Sequence, residues 1–378
     1  MKMLFITTNN ILNKIHNGGT QCTQRNYHIL EQSVGKGNVD VCVIAEKGQV
    51  KRSRGQVYTI EPMKSRVRIF LAGIFLYNTI SRKECRRIEN IVVGHNYDLV
   101  FFDTTLLGRI IKNIKKRDSQ IKVITFAHNV EKDIAWQRVQ HDNFLCFSMY
   151  FAIRYAEKQS LKYTDRFIAL SGRDGGNFYK TYGRTPELLF PITFTDRNCG
   201  DKTYNLDMLE HRSLLFVGSN YLPNIVGIKW FCNKVMPSID ATLYIVGREM
   251  KEYCGELETD NVVVLGEVDD LREYYFSADA VVMPITYGGG MKVKTAEALM
   301  YGKRIFATSE ALAGYIRIEK YMSCCDLAED FISAINHYFQ EEIVQKEFKS
   351  VRKIFQMHYD TAVYYDSIKK MLNDLTEE

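Results

Sequence analysis

The residues best suited to chemistry in this chain lie together between positions 284 and 309. Three consecutive glycines, Gly288, Gly289 and Gly290, separate an apolar run from a helical pattern, and Lys292 and Lys294 follow them. Glycines let backbone N–H groups approach a ligand closely, and the first turn of a helix attracts anions. Lysine in that turn is unfavourable against the helix dipole unless an anion lies there. The segment therefore predicts a site for a phosphate-rich ligand.

Glu297 stands three residues after Lys294 in the same predicted helix. A carboxylate is a good acceptor for two neighbouring hydroxyl groups, such as those of a ribose. The same spacing also suits an ion pair with Lys294 on a solvated helix face. The residue types alone leave both interpretations open.

Two earlier positions can also meet a ligand. Gly18 and Gly19 precede a predicted helix and offer a second turn for a phosphate, although a Gly-Gly pair is more often an ordinary loop. No G-x-G-x-x-G pattern is present, so the dinucleotide fingerprint is not met. His128 follows a predicted strand in Phe126-Ala127-His128-Asn129, where it fits either a ligand contact or a structural hydrogen bond.

Short apolar runs alternate with helix-length segments in both halves of the chain, which predicts parallel sheets covered by helices. In the first half the predicted strands are 2–7, 39–45, 99–102, 122–127 and 166–170, and the predicted helices are 21–34, 105–117 and 144–164. In the second half the predicted strands are 213–217, 242–246, 262–265, 280–283 and 304–307, and the predicted helices are 225–235, 268–277 and 292–300.

The predicted fold class is therefore α/β, with two tandem Rossmann-like domains. We expect the first domain at 1–195, the second at 196–350 after a linker at 191–207, and a last helix at 351–378. Ligands of open α/β sheets bind beyond the carboxyl ends of the strands, so two such domains predict a cleft between them. The glycine turns and His128 all follow predicted strands.

The run from Pro284 to Ser309, P-x-x-x-G-G-G-M-K-x-K-x-x-E-A-L-M-x-G-K-x-x-x-A-T-S, resembles the donor-nucleotide motif of the retaining family-four glycosyltransferases. Further matches are Leu215-Phe216-Val217-Gly218-Ser219, Tyr244-Ile245-Val246-Gly247-Arg248 and Leu265-Gly266-Glu267-Val268. The resemblance covers the second half of the chain well and the first half loosely. It implies the glycosyltransferase B fold, in which a last helix crosses back to the first domain.

The resemblance also implies roles for the matched residues. Glu297 is expected at the ribose hydroxyls, Val268 at the base through its backbone, and His128 near the transferred sugar. The other expected donor contacts are Gly18, Gly19, Gly218, Ser219, Arg248, Gly288, Gly289, Gly290 and Met291.

Two departures from the family pattern concern the donor. Gly289 stands where the family has its first motif glutamate, so that contact to the sugar is missing or is made by backbone amides. The Arg and Lys that often follow the opening strand of the second domain are absent near Ser219. We expect Lys292, Lys294 and Arg248 to supply their positive charge.

The predicted function is transfer of a hexosyl unit from a nucleoside diphosphate sugar to a hydroxyl of a glycan or lipid-linked glycan, in surface polysaccharide synthesis. Retention of configuration is implied by the resemblance only. The expected catalytic residues are His128, Lys292, Lys294 and Glu297. No metal and no other cofactor is expected: the lack of a D-x-D pair at the predicted phosphate site agrees with the metal-independent fold that the resemblance implies, in which protein cations replace the divalent ion. The alternatives are a nucleotide-sugar epimerase or hydrolase, a basic nucleic-acid-binding protein, and a catalytically silent interaction partner.

The two halves of the chain differ in charge. Residues 1–195 hold 30 Lys and Arg against 16 Asp and Glu, whereas residues 196–378 hold 20 against 29. Basic residues surround the apolar stretch 69–80: Lys51, Arg52, Arg54, Lys64, Arg66, Arg68, Arg82, Lys83, Arg86 and Arg87. An exposed helix of this kind suits an anionic membrane face and a lipid-linked acceptor. The alternative is a buried helix with a solvated basic face. No nucleic-acid reader motif accompanies the charge.

Composition points to a folded intracellular protein. Hydrophobic residues make up 46% and charged residues 25%, which excludes a disordered chain. The nine cysteines form no C-x-x-C pair, so a reducing cytoplasm is expected. No signal peptide is recognised, and the apolar stretch 69–80 is shorter than the roughly 20 residues that a spanning helix needs. The expected location is cytoplasmic, including the inner face of the membrane.

Overall fold

The computed structural model describes residues 1–9, 11, 18–46, 55–141, 146–196, 208–209, 212–341 and 348–377, apart from the side chains at 141 and 146. The chain forms two compact units. The first unit comprises Met1–Pro191 together with Tyr364–Glu378, and the second comprises Ile192–Val363. No described helix has both the length and the apolar character to cross a membrane.

The first unit is built on a parallel sheet of seven strands in the order β3-β2-β1-β4-β5-β6-β7. The strands are β1 (Met3–Thr7), β2 (Val39–Ile44), β3 (Val57–Ile60), β4 (Leu99–Phe102), β5 (Lys122–Ala127), β6 (Arg166–Ala169) and β7 (Leu188–Leu189). The helices of this part are α1 (Gly18–Val34), α2 (Arg66–Ile74), α3 (Arg82–Gly94), α4 (Gly108–Arg117), α5 (Glu131–His141), α6 (Cys146–Tyr163) and α7 (Gly172–Tyr182). Every residue of β1, β2 and β4 is buried, as expected for central strands covered on both faces.

The second unit has a parallel sheet of six strands in the order β10-β9-β8-β11-β12-β13. The strands are β8 (Ser213–Val217), β9 (Thr242–Val246), β10 (Val262–Gly266), β11 (Ala280–Met283), β12 (Arg304–Ala307) and β13 (Met322–Cys324). The helices are α8 (Leu222–Lys234), α9 (Cys254–Leu257), α10 (Leu271–Ser277), α11 (Val293–Met300), α12 (Ala328–Gln340) and α13 (Phe348–His358). Because β8 and β11 are adjacent, the turns that follow them lie at the same edge of the sheet.

The stretch predicted as one final helix, 351–378, forms two helices instead. The helix α13 ends at His358, a short 3-10 turn spans Thr361–Tyr364, and α14 covers Tyr365–Glu377. The helix α14 belongs to the first unit, where it contacts α1, and the Tyr365 hydroxyl donates to the carbonyl of Gln32 at 3.4 Å. The first unit is thus made of two separate stretches of the chain.

The predicted α/β class with two parallel-sheet units is confirmed. Several boundaries differ from the prediction: α1 begins at Gly18 rather than 21, and α10 begins at Leu271 rather than 268. The predicted linker falls largely on residues 197–207, which lie outside the described residues, as do Lys51, Arg52 and Arg54. The predicted cleft between the domains stays a prediction.

Candidate functional site

The glycine turn of the second unit connects β11 to α11 and requires glycine at two positions. Gly288 has a φ of 135° and Gly290 a φ of 60°, both in the region that residues with a side chain rarely occupy. Lys292 is the N-cap residue of α11, and no side chain caps this helix end. The turn therefore brings backbone amides and a helix N-terminus to the carboxyl edge of the sheet, as the sequence predicts.

Lys292 folds back over this turn. Its Nζ donates to the carbonyls of Gly289 and Gly290 at 3.1 and 3.2 Å and pairs with Glu310 Oε1 at 2.7 Å. The ion pair is mostly buried, with the side chains 13% and 22% exposed. The anion that offsets Lys292 at this helix end is thus a carboxylate of the same chain, which the sequence analysis missed.

Lys294 is half-buried in a different environment. Its Nζ donates to Asn224 Oδ1 at 2.8 Å and lies 4.8 Å from the centre of the Phe216 ring. Burial, together with the nearby charge of Lys292, lowers the pKa of Lys294 to about 7. This ammonium group is therefore close to losing its proton at neutral pH.

Glu297 lies one turn further along α11. Its Oε2 accepts a hydrogen bond from the hydroxyl of Tyr275 at 3.2 Å, and the Tyr275 ring stacks on Tyr301 at 4.7 Å. Burial and the Glu297 charge raise the pKa of Tyr275 well above its usual range. Tyr275 thus holds the carboxylate as a neutral donor, a role that the sequence did not predict.

The other predicted donor contacts follow neighbouring strands of the same sheet. Gly218 and Ser219 follow β8, and the Ser219 carbonyl accepts from Asn224 Nδ2 at 2.9 Å. Gly247 follows β9, and a Cβ built on it would lie 1.9 Å from the Gly218 carbonyl oxygen, so the two turns touch. Arg248 comes next, and its side chain is 47% exposed and pairs with Glu249 at 3.4 Å.

Two predicted contacts differ in their surroundings. Val268 lies between β10 and α10 and is partly exposed, while Met291 is buried beside the glycine turn. The order β10-β9-β8-β11-β12 places the turns after all five strands along one edge of the sheet. The structure therefore gathers the predicted donor residues of the second unit at one edge, and their role in binding stays a prediction.

In the first unit, His128 follows β5 and is held by Asp103, which follows β4. The His128 Nε2 lies 2.9 Å from Asp103 Oδ2. Asp103 is fully buried and also accepts from Thr23 Oγ1 at 2.5 Å and from Asn26 Nδ2 at 2.6 Å. Thr7 Oγ1, at the end of β1, also lies 3.5 Å from Asp103 Oδ2. Four polar groups therefore converge on one carboxylate, and the sequence prediction contained only His128.

Cys22 and Arg25, on the inner side of α1, complete this cluster. Arg25 donates to Cys22 Sγ at 3.0 Å and to the carbonyl of Pro191 at 2.6 Å. Burial by itself lowers the pKa of His128, but Asp103 and Cys22 raise it well above its usual range. Burial raises the pKa of Cys22, but Arg25 and His128 lower it below its ordinary value. The cluster favours an imidazolium at His128.

Gly18 and Gly19 are the first residues of α1, the helix that carries Cys22 and Arg25. Gly19 is exposed, and the first N–H groups of a helix have no partner within the helix. The preceding Asn17 lies outside the described residues.

The described residues contain no group of three His, Cys, Asp or Glu placed to hold a metal ion. Metal independence nevertheless stays a prediction, because a substrate diphosphate can itself carry an ion to a site.

Part of the chain matches a known protein family. Residues 211–341 match the model described as glycosyl transferases group 1. This match covers the sheet of the second unit, including the glycine turn and Glu297. No curated protein sequence matches the chain.

Solved structures of glycosyltransferases share the fold over nearly the whole chain. The Anabaena protein Alr3699/HepE in complex with UDP and glucose has a TM-score of 0.70 at 14% identity, covering 99% of this chain and 100% of that chain. The lipopolysaccharide outer core galactosyltransferase WaaB has a TM-score of 0.68 at 12% identity, covering 99% of each chain. A glycosyltransferase from Rickettsia africae has a TM-score of 0.66 at 11% identity, covering 99% of this chain and 98% of that chain. The predicted glycosyltransferase B fold is confirmed.

Proposed function

We propose that this protein is a glycosyltransferase that moves a hexosyl unit from a nucleoside diphosphate sugar to a hydroxyl of a glycan or lipid-linked glycan, with retention of configuration. The observation that carries the proposal is the glycine turn with Lys292, Lys294 and Glu297, in a segment that matches glycosyl transferases group 1. We place the reaction in surface polysaccharide synthesis at the cytoplasmic face of the membrane.

The donor we propose is a uridine diphosphate sugar. Structures of the Anabaena protein HepE hold UDP and UDP-glucose, and that protein shares the fold of this chain. We assign the base, the ribose and the diphosphate to the turns after β8, β9, β10 and β11, which lie along one edge of the sheet. Glu297, already fixed by Tyr275, accepts the ribose hydroxyls.

We propose that the diphosphate binds the ammonium groups of two lysines that have protein partners in the free protein. Lys292 exchanges its contact with Glu310 for a phosphate oxygen, and Lys294 turns from Asn224 toward the second phosphate. As the bond to the sugar breaks, the leaving diphosphate gains negative charge, and fixed ammonium groups and helix N–H groups stabilise it. The protein cations thereby take the place of a divalent ion.

His128 is proposed to contact the transferred sugar, with Asp103 as a positioning residue behind it. The carboxylate fixes the ring through Nε2 and favours the protonated imidazole. An imidazolium donates a hydrogen bond but cannot act as a base, so we assign His128 to orienting the sugar and stabilising charge.

A panel of nucleotide sugars in a thermal-shift assay tests the donor assignment. A ligand at 100 times its Kd stabilises the folded state by about 2.7 kcal/mol, enough to raise Tm by several degrees. Glu297→Ala is expected to weaken donor binding by about 1–3 kcal/mol through lost hydrogen bonds to a charged group. Glu329→Ala changes an exposed glutamate on α12, away from the donor turns, and is expected to bind normally.

Three results would contradict this proposal. Normal donor affinity in Glu297→Ala would remove the assigned ribose contact. Product formed from the donor without any acceptor would favour an epimerase or hydrolase. Tight binding of a nucleic acid at moderate salt, with no response to any nucleotide sugar, would favour the alternative that the protein binds nucleic acid through its basic first half.

A further inference from the structure

We propose that the outward face of α2 docks on an anionic lipid surface. Val67, Leu71 and Ile74 of this helix and Phe75 at its end are 69%, 48%, 55% and 70% exposed. The spacing of three and four residues places them along one side of the helix. Four large apolar side chains on one short helix form an exposed patch of the kind that marks an interaction site.

The opposite side of α2 is already occupied. Gly73 is buried against α6, and a Cβ built on it would lie 2.7 Å from Ser148 Oγ. Because this close contact fixes the inner side of the helix, the apolar stripe is not free to turn into the core. The 69–80 stretch is therefore not the buried helix with a solvated basic face that the sequence left open as an alternative. The helix ends at Ile74, and its apolar stripe faces solvent.

The helix α6, on which α2 packs, adds aromatic surface. Phe147 and Phe151 of α6 are 36% and 44% exposed, and their rings meet edge to face with centroids 5.0 Å apart. Trp136 of α5 is also 42% exposed and contacts Tyr150 of α6. Exposed aromatic side chains suit the boundary between headgroups and acyl chains.

Exposed positive charge lies on α2 itself and on the next helix along the chain. Arg66 and Arg68 are exposed on the two sides of Val67 in the first turn of α2. The outer face of the next helix, α3, carries Arg82, Lys83, Arg86 and Arg87, which line an open depression of about 660 Å³. In the described part of the chain, Arg82, Lys83 and Arg86 have no acidic partner. An anionic leaflet supplies the missing negative charge.

Charge decides between a lipid surface and a second copy of the chain. Two copies meeting through this stripe would enclose Arg66 and Arg68 of both copies in one interface, and α2 has no acidic residue to neutralise them, which disfavours such a dimer. A leaflet of anionic lipids matches both parts of the surface, because it accepts the apolar side chains and neutralises the arginines.

Flotation of the full-length protein with vesicles tests the proposal. We expect binding to vesicles of phosphatidylglycerol and phosphatidylcholine, little binding to phosphatidylcholine alone, and weakening as salt is raised. Leu71→Asp is expected to lower the vesicle partition coefficient on the order of tenfold, because it replaces an apolar side chain that enters the lipid with a charged one. Arg68→Ala should lower it several-fold, and only on anionic vesicles.

Met357→Asp is the matched control, because Met357 is 64% exposed on α13 of the second unit. Its partition should equal that of the unchanged protein. The proposal is overturned if anionic vesicles fail to bind the protein at low salt, if Leu71→Asp binds as well as Met357→Asp, or if ultracentrifugation shows a dimer that Leu71→Asp dissociates. The assay contains no nucleotide sugar, so these outcomes leave the proposed transferase function untouched.

Discussion

Among the residues of the site, Lys294 and His128 depart from their ordinary protonation in opposite directions. Burial pushes the pKa of Lys294 down to about 7, while Asp103 and Cys22 overcome burial and push that of His128 up. Lys294 can therefore gain a proton when a phosphate binds, whereas His128 is protonated before any ligand binds. The two groups should therefore affect the pH dependence of binding and turnover in different pH ranges.

Donor binding is expected to take up a proton at Lys294. The diphosphate of a nucleotide sugar has no proton to lose near neutrality, so binding favours the ammonium form of Lys294 and tightens as the pH falls from 8 to 6. Above pH 7 the slope should approach tenfold in Kd per pH unit. Calorimetry in buffers of different ionisation enthalpy measures the proton uptake.

Two variants separate Lys294 from its neighbour. Lys294→Met should bind weakly and without this pH dependence. Lys292→Met should also bind weakly. Because the charge of Lys292 is one cause of the low pKa of Lys294, its removal raises that pKa, and the pH range over which Kd changes should move to higher pH. A slope that survives in Lys294→Met would assign the titration to another group.

Asp103→Asn is expected to return the pKa of His128 toward or below its usual range, because the replacement removes the charge and leaves burial. The charged pair stabilises the folded state at pH values below the ordinary histidine pKa, and this contribution is lost as the pH rises through the raised pKa. The variant should be less stable by about 1–3 kcal/mol at pH 6 and by less at high pH. NMR titration of His128 and urea unfolding at both pH values measure these effects.

Thr7→Val serves as the comparison for Asp103→Asn, since Thr7 contacts the same carboxylate only at 3.5 Å and carries no charge. It should leave the His128 titration nearly unchanged. An unshifted His128 in Asp103→Asn would mean that the raised pKa has another origin.

At this scale the sequence identified His128, Lys292, Lys294 and Glu297 but assigned no role to the side chains that hold them. Asp103 and Glu310 lie 25 and 18 positions from the residues they hold. They come close only because β4 adjoins β5 and β11 adjoins β12. Strand alternation indicates that these turns share an edge, but the order of strands within the sheet decides which side chains meet.

At the scale of elements, the turn before α11 depends on backbone conformation rather than on side chains. Gly288→Ala places a Cβ where φ is 135°, which is expected to cost about 1–3 kcal/mol and to displace the amides of the turn. Gly289→Ala is the matched comparison, because Gly289 is not among the residues with a positive φ. Urea unfolding and donor titration of both variants measure the effect.

Equal losses in the two variants would show that the turn lacks space for any side chain and that φ is not the cause. A loss of donor affinity in Gly288→Ala that exceeds the loss of stability would support a direct role of the turn amides.

Elements with continuous apolar runs were predicted to within a residue or two, whereas weakly patterned ones were missed. The central strands β1, β2 and β4 are wholly buried, so their composition is sufficient to identify them. The strand β3 is mostly half-buried, and β13 has three residues, so neither shows a clear pattern. The start of α10 had a local signal: Asp270 caps the helix by accepting from the Arg272 N–H at 3.0 Å.

At the scale of the whole molecule, α14 completes a unit whose other residues precede it by more than 170 positions. Its inner side buries Ile368, Met371, Leu372 and Leu375. Leu372→Ala is expected to destabilise the first unit by about 2–5 kcal/mol, through the lost apolar group and the cavity it leaves. Hydrogen exchange should then rise in α1 and α14 and remain unchanged in β8, β9 and β11.

Asp374→Ala changes an exposed neighbour on the same helix and should leave exchange unaltered in both units. Uniform acceleration in the Leu372→Ala variant would indicate that the two units unfold as one, and no acceleration would indicate that α14 contributes little to the first unit.

The division of the first unit into two stretches also has a consequence during synthesis. A ribosome finishes Ile192–Val363 before it makes Tyr365–Glu377, so the later unit has all its strands while the earlier one still lacks its last helix. The surface of α1 that α14 contacts stays uncovered through that interval, when chaperones and proteases compete for such surfaces. Slowing translation between the two stretches should therefore lower the yield of protein with a completed first unit.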